Sequence, residues 1–170
     1  MNNTDTPGRA EAVAERQSAE LESFVGEHYS RLLRLAGLIC RSVSDAEDAV
    51  QSGIERAWRK RGSLHDENRM RPWLDRIVVR EAIRIGSRRR DGELPVDAIG
   101  PGQADEWASV RIAFGQLSAP QRAALVLHLY AGYPVSATAE LLGAPIETIR
   151  TRLRVGRERL RQLLAEGVDR

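Results

Sequence analysis

LSAPQRAALVLHLYAGYPVSATAELLGAPIETIRTRLRVGRERLRQLL, residues 117–164, is the stretch that decides the fold. It reads as short helical segments, a tight Gly143-Ala144-Pro145 turn and then a basic helix, the pattern of a helix-turn-helix. Ile146, Ile149, Leu153, Gly156, Leu160 and Leu164 recur at spacings of three and four, so they predict one buried face. Residues 146–161 carry six arginines against Glu147 and Glu158. An amphipathic helix with an arginine-studded outer face, entered through a Gly-containing turn, suits the DNA major groove. Glu147, Arg150, Thr151 and Arg154 are candidates to meet base edges. Arg152 and Arg157 flank the apolar stripe, where their heads reach phosphates or their stems cover the core. The same helix could instead build a coiled-coil dimer, but the turn and the Ala139–Leu142 packing segment before it argue against that.

Working outward, Ser118-Ala119-Pro120-Gln121 has a capping-box pattern and starts a helix to about Tyr130. Val110–Leu117 forms a helix before it. Residues 91–110 hold five acids and no base, with Gly92, Pro95, Gly100, Pro101 and Gly102. This segment has no helical period and predicts a flexible acidic linker over 91–106.

The N-terminal half has its own helices. Phe24–Ile39 puts Phe24, Tyr29, Leu32, Leu33, Leu35, Ala36 and Ile39 inward. Ser44-Asp45-Ala46-Glu47 matches a capping box and opens a helix to about Lys60, with Ala46, Ala49, Val50, Ile54 and Ala57 inside. On its outside, Asp45, Asp48 and Gln51 are expected to form a carboxylate row able to dock a basic protein surface. A well-capped solvated helix would show the same residues. A polar loop spans Arg61–Arg71 and includes His65 and Asn68. Pro72 then marks a helix carrying Trp73, Leu74, Ile77, Val78, Ala82 and Ile85. Arg76, Arg80 and Arg84 recur every four residues along it. Residues 69–90 carry eight arginines and two acids, a charge that calls for an anionic partner such as DNA backbone. Residues 1–20 are polar and acidic and are expected to be a loose extension.

The 170 residues thus predict an all-α chain of two small helical domains, with net charge only +2 and two basic patches separated by an acidic segment. Of the 26 basic residues only Lys60 is lysine. Arginine forks suit phosphates and guanine edges, although a GC-rich genome would favour the same codons. His28, His65 and His128 lack ligand spacing, and no C-x-x-C, H-E-x-x-H, Walker loop or nucleophile elbow occurs. Neither an enzyme nor a bound metal or cofactor is therefore expected. Cys40, the single cysteine, reads as a core residue, and no apolar run approaches a membrane span. A cytoplasmic protein without membrane insertion follows.

The order of features is more specific than any one of them. D-A-E-D-A-V-Q (45–51) is followed by W-L-D-R-I (73–77), an R-R-R run (88–90), the acidic linker and the L-S-A-P-Q-R … A-E-L-L-G … T-I-R-T-R-L helix-turn-helix. From about Leu21 to Leu164 the chain resembles the extracytoplasmic-function group of bacterial RNA polymerase sigma factors. The resemblance implies a region-2 domain over 21–90 and a region-4 domain over 107–165. It implies that Asp45, Glu47, Asp48 and Gln51 dock the β′ coiled coil of core RNA polymerase. Arg61, His65, Asn68, Trp73, Arg76, Arg80 and Arg84 would meet the promoter −10 element. Glu147, Thr148, Arg150, Thr151, Arg154 and Arg157 would read the −35 element, with the domain also touching the β-flap. An anti-sigma factor is a further implied partner. The chain departs from the family at Arg80, where Asn is usual, at Ala137-Thr138, where Glu-Ile is usual, and at Val155, where Arg is common. The rival reading is a polymerase-independent helix-turn-helix regulator, which has no need of the acidic Asp45–Gln51 face.

Overall fold

The computed structural model describes residues 6–64, 66–88 and 108–168, and among these there are helices and turns but no strand. His65 and the linker expected over 91–106 lie outside the described residues. Seven α-helices are described: α1 (Thr6–Cys40), α2 (Val43–Lys60), α3 (Met70–Gly86), α4 (Ala108–Gly115), α5 (Ala119–Leu125), α6 (Val135–Leu142) and α7 (Ile146–Val168).

Helix α1 begins at Thr6, well before the Phe24 start that the apolar pattern suggests. Leu21 explains why its first half is retained: it is buried and belongs to the core that α1 shares with α2 and α3. Arg16 and Glu20 form an i,i+4 ion pair one turn earlier, a small addition on an exposed face. The helix ends at Arg41, which takes a left-handed conformation (φ 70°).

Helix α2 starts two residues before the expected capping box. Ser42 is its N-cap, with its hydroxyl accepting from the Asp45 amide at 3.3 Å. Ala46, Ala49, Val50 and Ala57 are buried as the pattern predicts. Gly53 joins them because α3 passes too close for a side chain: a Cβ there would lie 2.8 Å from Val78 Cγ2. Between α2 and α3, the expected polar loop makes two 3₁₀ turns, Arg61–Ser63 and Glu67–Arg69.

In the C-terminal half, the Gln121 amide oxygen accepts from the Ser118 backbone N–H at 3.0 Å, so the predicted capping box forms. The helix that begins there runs into one π turn, Val126–Tyr130. Helix α6 ends on Gly143 in the left-handed region (φ 61°), and the Ala144 amide bonds back to Ala139 O at 3.1 Å. This closure sets the angle at which α7 leaves the turn. Ile149, Leu153 and Gly156 are buried as expected, while Leu160 is half-buried. A Cβ on Gly156 would lie 3.0 Å from Leu125 Cδ1, so a glycine lets α7 pack tightly on α5. Ile146 is the exception within the expected stripe. It stands at the mouth of the turn and is 37% exposed.

The two halves do not stand apart. Ala123, Val126, Leu127 and Leu141 belong to the same apolar cluster as Leu35, Ile39, Leu74 and Val78. A second, smaller cluster of Leu117, Ala124, Leu125, Ala139, Ile149 and Leu153 holds the helix-turn-helix together.

Candidate nucleic-acid interface

Three surfaces carry the predicted functional residues. The first is the outer face of α2. Glu47, Asp48 and Gln51 are exposed there, but Asp45 is only 5% exposed, which corrects its expected place in the outward row. The helical period gives the reason. Asp45 lies one turn before Ala49 and two turns before Gly53, so it shares their inner row. Asp48 and Gln51 line a shallow depression with Glu55, Arg84 of α3 and Arg88 just beyond it, and the buried Asp45 reaches its wall. The carboxylate row is therefore Glu47, Asp48 and Glu55, bordered by arginines.

The second surface is the loop and outer face of α3. Asn68, Arg76, Arg80 and Arg84 are exposed, and Arg61 and Trp73 are half-buried. Arg61 donates to Trp58 O at 2.8 Å, which holds it at the end of α2. The Asn68 backbone N–H donates to the Asp66 carboxylate at 3.0 Å and shapes the loop. Trp73 reaches two depressions. One, of about 240 Å³, lies against Arg16, Gln17 and Glu20 of α1. The other, of about 500 Å³, also takes in Ser63, Arg69, Arg76 and residues of α6. An aromatic ring flanked by guanidinium groups suits an unstacked base on a single strand.

The arginines of α3 are not equally free. The buried Glu81 carboxylate bonds Arg84 at 2.8 Å and Arg56 of α2 at 2.8 Å. Arg80 reaches the left-handed corner at Gly143, where a Cβ would lie 2.5 Å from its Nη2. Partial burial, with Arg76 adding repulsion, weakens Arg80's hold on its proton.

The third surface is α7. Glu147, Arg150, Thr151, Arg154 and Arg157 are exposed and Thr148 is half-buried. Arg150 bonds Glu147 one turn back, and Arg161 pairs with Glu158 at 2.8 Å. These are solvent-exposed pairs of small net strength, so a phosphate or a base edge can replace either acid.

Sequence reasoning missed five residues: Arg31, Asp75, Glu81, Arg122 and Tyr133. Asp75 is fully buried on α3 and accepts both arms of the Arg31 fork, at 3.0 and 2.5 Å, and the Tyr133 hydroxyl at 2.8 Å. Burial, reinforced by Asp75, raises the Tyr133 phenol well above the ordinary tyrosine range. Arg122 is 2% exposed. Its Nε donates to Ile39 O at 2.8 Å and its Nη1 to Leu117 O. Burial, with Arg41 nearby, lowers it to about 10. Cys40 lies beside this strut as the core residue expected. Burial, then Asp45, pushes its thiol up to about 12. The only local signal for any of these was a carboxylate, Asp75, set between apolar Leu74 and Ile77. Its partners lie 44 and 58 positions away.

No described helix is long and apolar enough to cross a membrane. Residues 24–92 match the model for sigma-70 region 2, and residues 109–160 match that for sigma-70 region 4. The chain is 33% identical over 143 residues to the ECF RNA polymerase sigma factor SigM of Mycobacterium tuberculosis, covering 81% of this chain and 73% of that relative. It is 30% identical over 175 residues to SigL of the same species, another ECF RNA polymerase sigma factor, covering 95% and 99%. Among solved structures, the sigma factor RpoE, crystallised with the anti-sigma factor NepR from Bartonella quintana, superposes with a TM-score of 0.66 at 27% identity over 88% of this chain and 99% of that one. CnrH in complex with the cytosolic domain of CnrY shares the fold, with a TM-score of 0.67 at 23% identity over 91% and 96%. Both region models match in order, around a helix-turn-helix whose arginine face is open and an α2 whose carboxylates face outward. The chain belongs to the extracytoplasmic-function group of sigma-70 RNA polymerase sigma factors, and it is an alternative sigma factor that directs transcription initiation.

Proposed function

We propose that Glu47, Asp48 and Gln51 of α2 dock this chain on the β′ coiled coil of core RNA polymerase. Asn68, Trp73, Arg76, Arg80 and Arg84 then hold the melted −10 element, and α7 reads the −35 element. The observation that carries this reading is the presence, on one chain, of an outward carboxylate row and two separate arginine faces. A helix-turn-helix repressor needs a duplex reader alone. A protein that must also open DNA needs an aromatic flanked by cations for a single strand. Each DNA contact is modest by itself. Joined on one chain and mounted on polymerase, they act at high effective concentration.

Residue roles follow from exposure. Arg150 and Arg154, exposed one turn apart, meet base edges, with Glu147 and Thr151 beside them. Arg157, further along the helix, meets phosphate, and the C-terminal domain also touches the β-flap. Asp45, being buried, supports the start of α2 from within rather than meeting polymerase. An anti-sigma factor is a further partner, by likeness to RpoE, which was crystallised with one.

The test is reconstitution. Purified core polymerase retains the wild-type chain and gives run-off transcripts from genomic fragments. Glu47→Lys with Asp48→Lys, both on exposed positions, lowers retention on core and leaves helical content intact. Undiminished retention of that double variant would overturn the assignment of α2. Run-off transcription that starts without the chain would overturn the whole reading.

A further inference from the structure

We propose that the narrow depression between α1 and the Arg61–Ser63 turn is a second base pocket, which takes one guanine or cytosine of the melted −10 strand and reads its edge with Gln17, Glu20 and Arg61. The inference deepens the proposed function and rests on its assignment of Trp73 to that strand.

The first turns of α1 have no part in the proposed function. The match to sigma-70 region 2 begins at residue 24, yet the helix begins at Thr6. Leu21 fixes how this extension lies, because it is buried in the core shared with α2 and α3. Gln17 stands four residues earlier and so on the same side of the helix, with Glu20 three residues after it. Both are half-buried, and both line the depression with Trp73. Trp73 thus lines two hollows. The wider one, beside Arg76, belongs to the −10 face already described, and the narrower one faces α1. A strand laid over the ring offers neighbouring bases to the two hollows.

The chemistry of the narrow hollow fits a single base. Its volume of about 240 Å³ is smaller than that of a site for a drug-sized ligand and suits one planar ring system. Leu64, Met70 and the Trp73 ring supply an apolar bed on which a base can stack. The polar residues supply what a base edge needs. Glu20 accepts from an exocyclic amino group, Arg61 donates to a ring carbonyl, and Gln17 does either. Guanine and cytosine carry both groups, whereas adenine lacks the carbonyl and thymine lacks the amine.

Arg61 has bonding capacity left for this. Its Nη1 donates to Trp58 O at 2.8 Å, and its buried Nε finds no acceptor among the described residues. An orphaned donor beside an open hollow calls for an acceptor from outside. Arg16 and Glu20 pair at 3.5 Å, with their side chains 66% and 31% exposed. An ion pair this exposed is weak and exchangeable, so Glu20 can turn to a base while Arg16 takes the phosphate of the same nucleotide.

The experiment uses holoenzyme reconstituted with the full chain and fluorescent single-stranded oligonucleotides that span the −10 element of a promoter found by run-off transcription. Each position is replaced in turn by every base and by an abasic nucleotide. One position is expected to bind guanine or cytosine about tenfold more tightly than adenine, thymine or the abasic form, the cost of losing one stacked and bonded base. The tighter of guanine and cytosine there names the occupant. Gln17→Ala with Glu20→Gln should erase the preference at that position alone and leave the abasic oligonucleotide bound as before. Helical content and retention on core monitor folding, and the isosteric Glu20→Gln alone serves if the pair does not fold. The pocket is overturned if no position shows the preference, or if the double variant keeps it. It is overturned equally if the variant weakens every oligonucleotide alike, the abasic ones included, which marks a displaced α1. In each of these cases a loss of strand binding in Trp73→Ala keeps the −10 assignment standing. Holoenzyme bearing Trp73→Ala and Arg76→Ala that opens promoters normally would overturn that assignment, and the second pocket with it.

Discussion

Helices α3 and α7 each carry a row of arginines three or four residues apart, yet the structure treats them differently. On α3, Arg84 is tied to the buried Glu81, Arg80 rests against the Gly143 corner and Arg76 looks into a cleft shared with α6. On α7, Arg150, Arg154 and Arg157 face outward, and of these Arg150 bonds an acid, Glu147, one turn back. Composition and periodicity are alike. Availability differs because α3 is packed on several sides, with α1 and α2 beneath it and α6 across its outer face, while α7 buries a single stripe. An arginine stripe in a sequence thus states what a helix can bind, and its tertiary neighbours state when.

The strongest way to break this contrast is to remove the hub beneath α3. Asp75→Ala leaves the Arg31 fork partly buried without its carboxylate and Tyr133 without its acceptor. A loss of about 3 kcal/mol in unfolding free energy is expected, read from the urea midpoint. A loss below 1 kcal/mol would show that water replaces the carboxylate and that the hub is not structural. The same substitution should leave the arginine face of α7 unchanged, because α7 packs mainly on α4, α5 and α6.

The α7 side is tested by Arg154→Ala. A weakening of about 1–3 kcal/mol is expected for holoenzyme binding to a duplex −35 probe, with core retention unchanged. Substituting Arg157 should instead lower affinity on all sequences and flatten the dependence on salt. If both variants behave alike, the division of α7 into base-reading and phosphate-holding arginines fails.

Gly143→Ala sharpens the comparison on the boundary between the two helices. Gly143 sits at φ 61°, and a Cβ there would meet the Arg80 head. A cost of about 1 kcal/mol is expected from the left-handed backbone, together with release of Arg80 and tighter single-strand binding. Thermal unfolding and the oligonucleotide assay read the two effects separately.

The smallest expected effect is a titration. Tyr133 faces Asp75, with Arg31 and Arg71 also near, and its phenol ionises well above the usual tyrosine range in the folded chain. An unfolded chain releases that proton near pH 10, whereas the folded chain keeps it. The folded state then binds more protons, so the stability contributed here is complete below about pH 10 and falls as the pH rises further. Absorbance titration should show one of the three tyrosines ionising late. That late component should vanish in Tyr133→Phe, and its persistence there would assign it elsewhere.

Much of the molecule is legible in the chain. The capping box at Ser118-Gln121, the Gly143 turn and the Ile149-Leu153-Gly156 stripe all follow from spacing rules that act within one or two turns. The misreadings are informative. Ser44-Asp45-Ala46-Glu47 matches a capping box, yet the chain turns at Arg41 and the Ser42 hydroxyl takes the cap instead. Asp45 falls on the inner row because it lies one and two turns before Ala49 and Gly53. Ile146 fits the apolar period but sits where α7 has just left the turn, before its neighbours can cover it.

The helical period and the charge blocks determined on their own an all-α chain with a carboxylate helix and two arginine helices, and the order of motifs carried the resemblance to sigma factors. These properties are local, because a helix presents the same faces whatever it later packs against. The pairing of Asp75 with Arg31 and Tyr133, the strut from Arg122 to Ile39 and the covering of α3 by α6 were decided by the tertiary structure alone. Each joins residues tens of positions apart, where no periodicity relates the partners, and each depends on burial making a lone carboxylate or guanidinium too costly to leave unpaired.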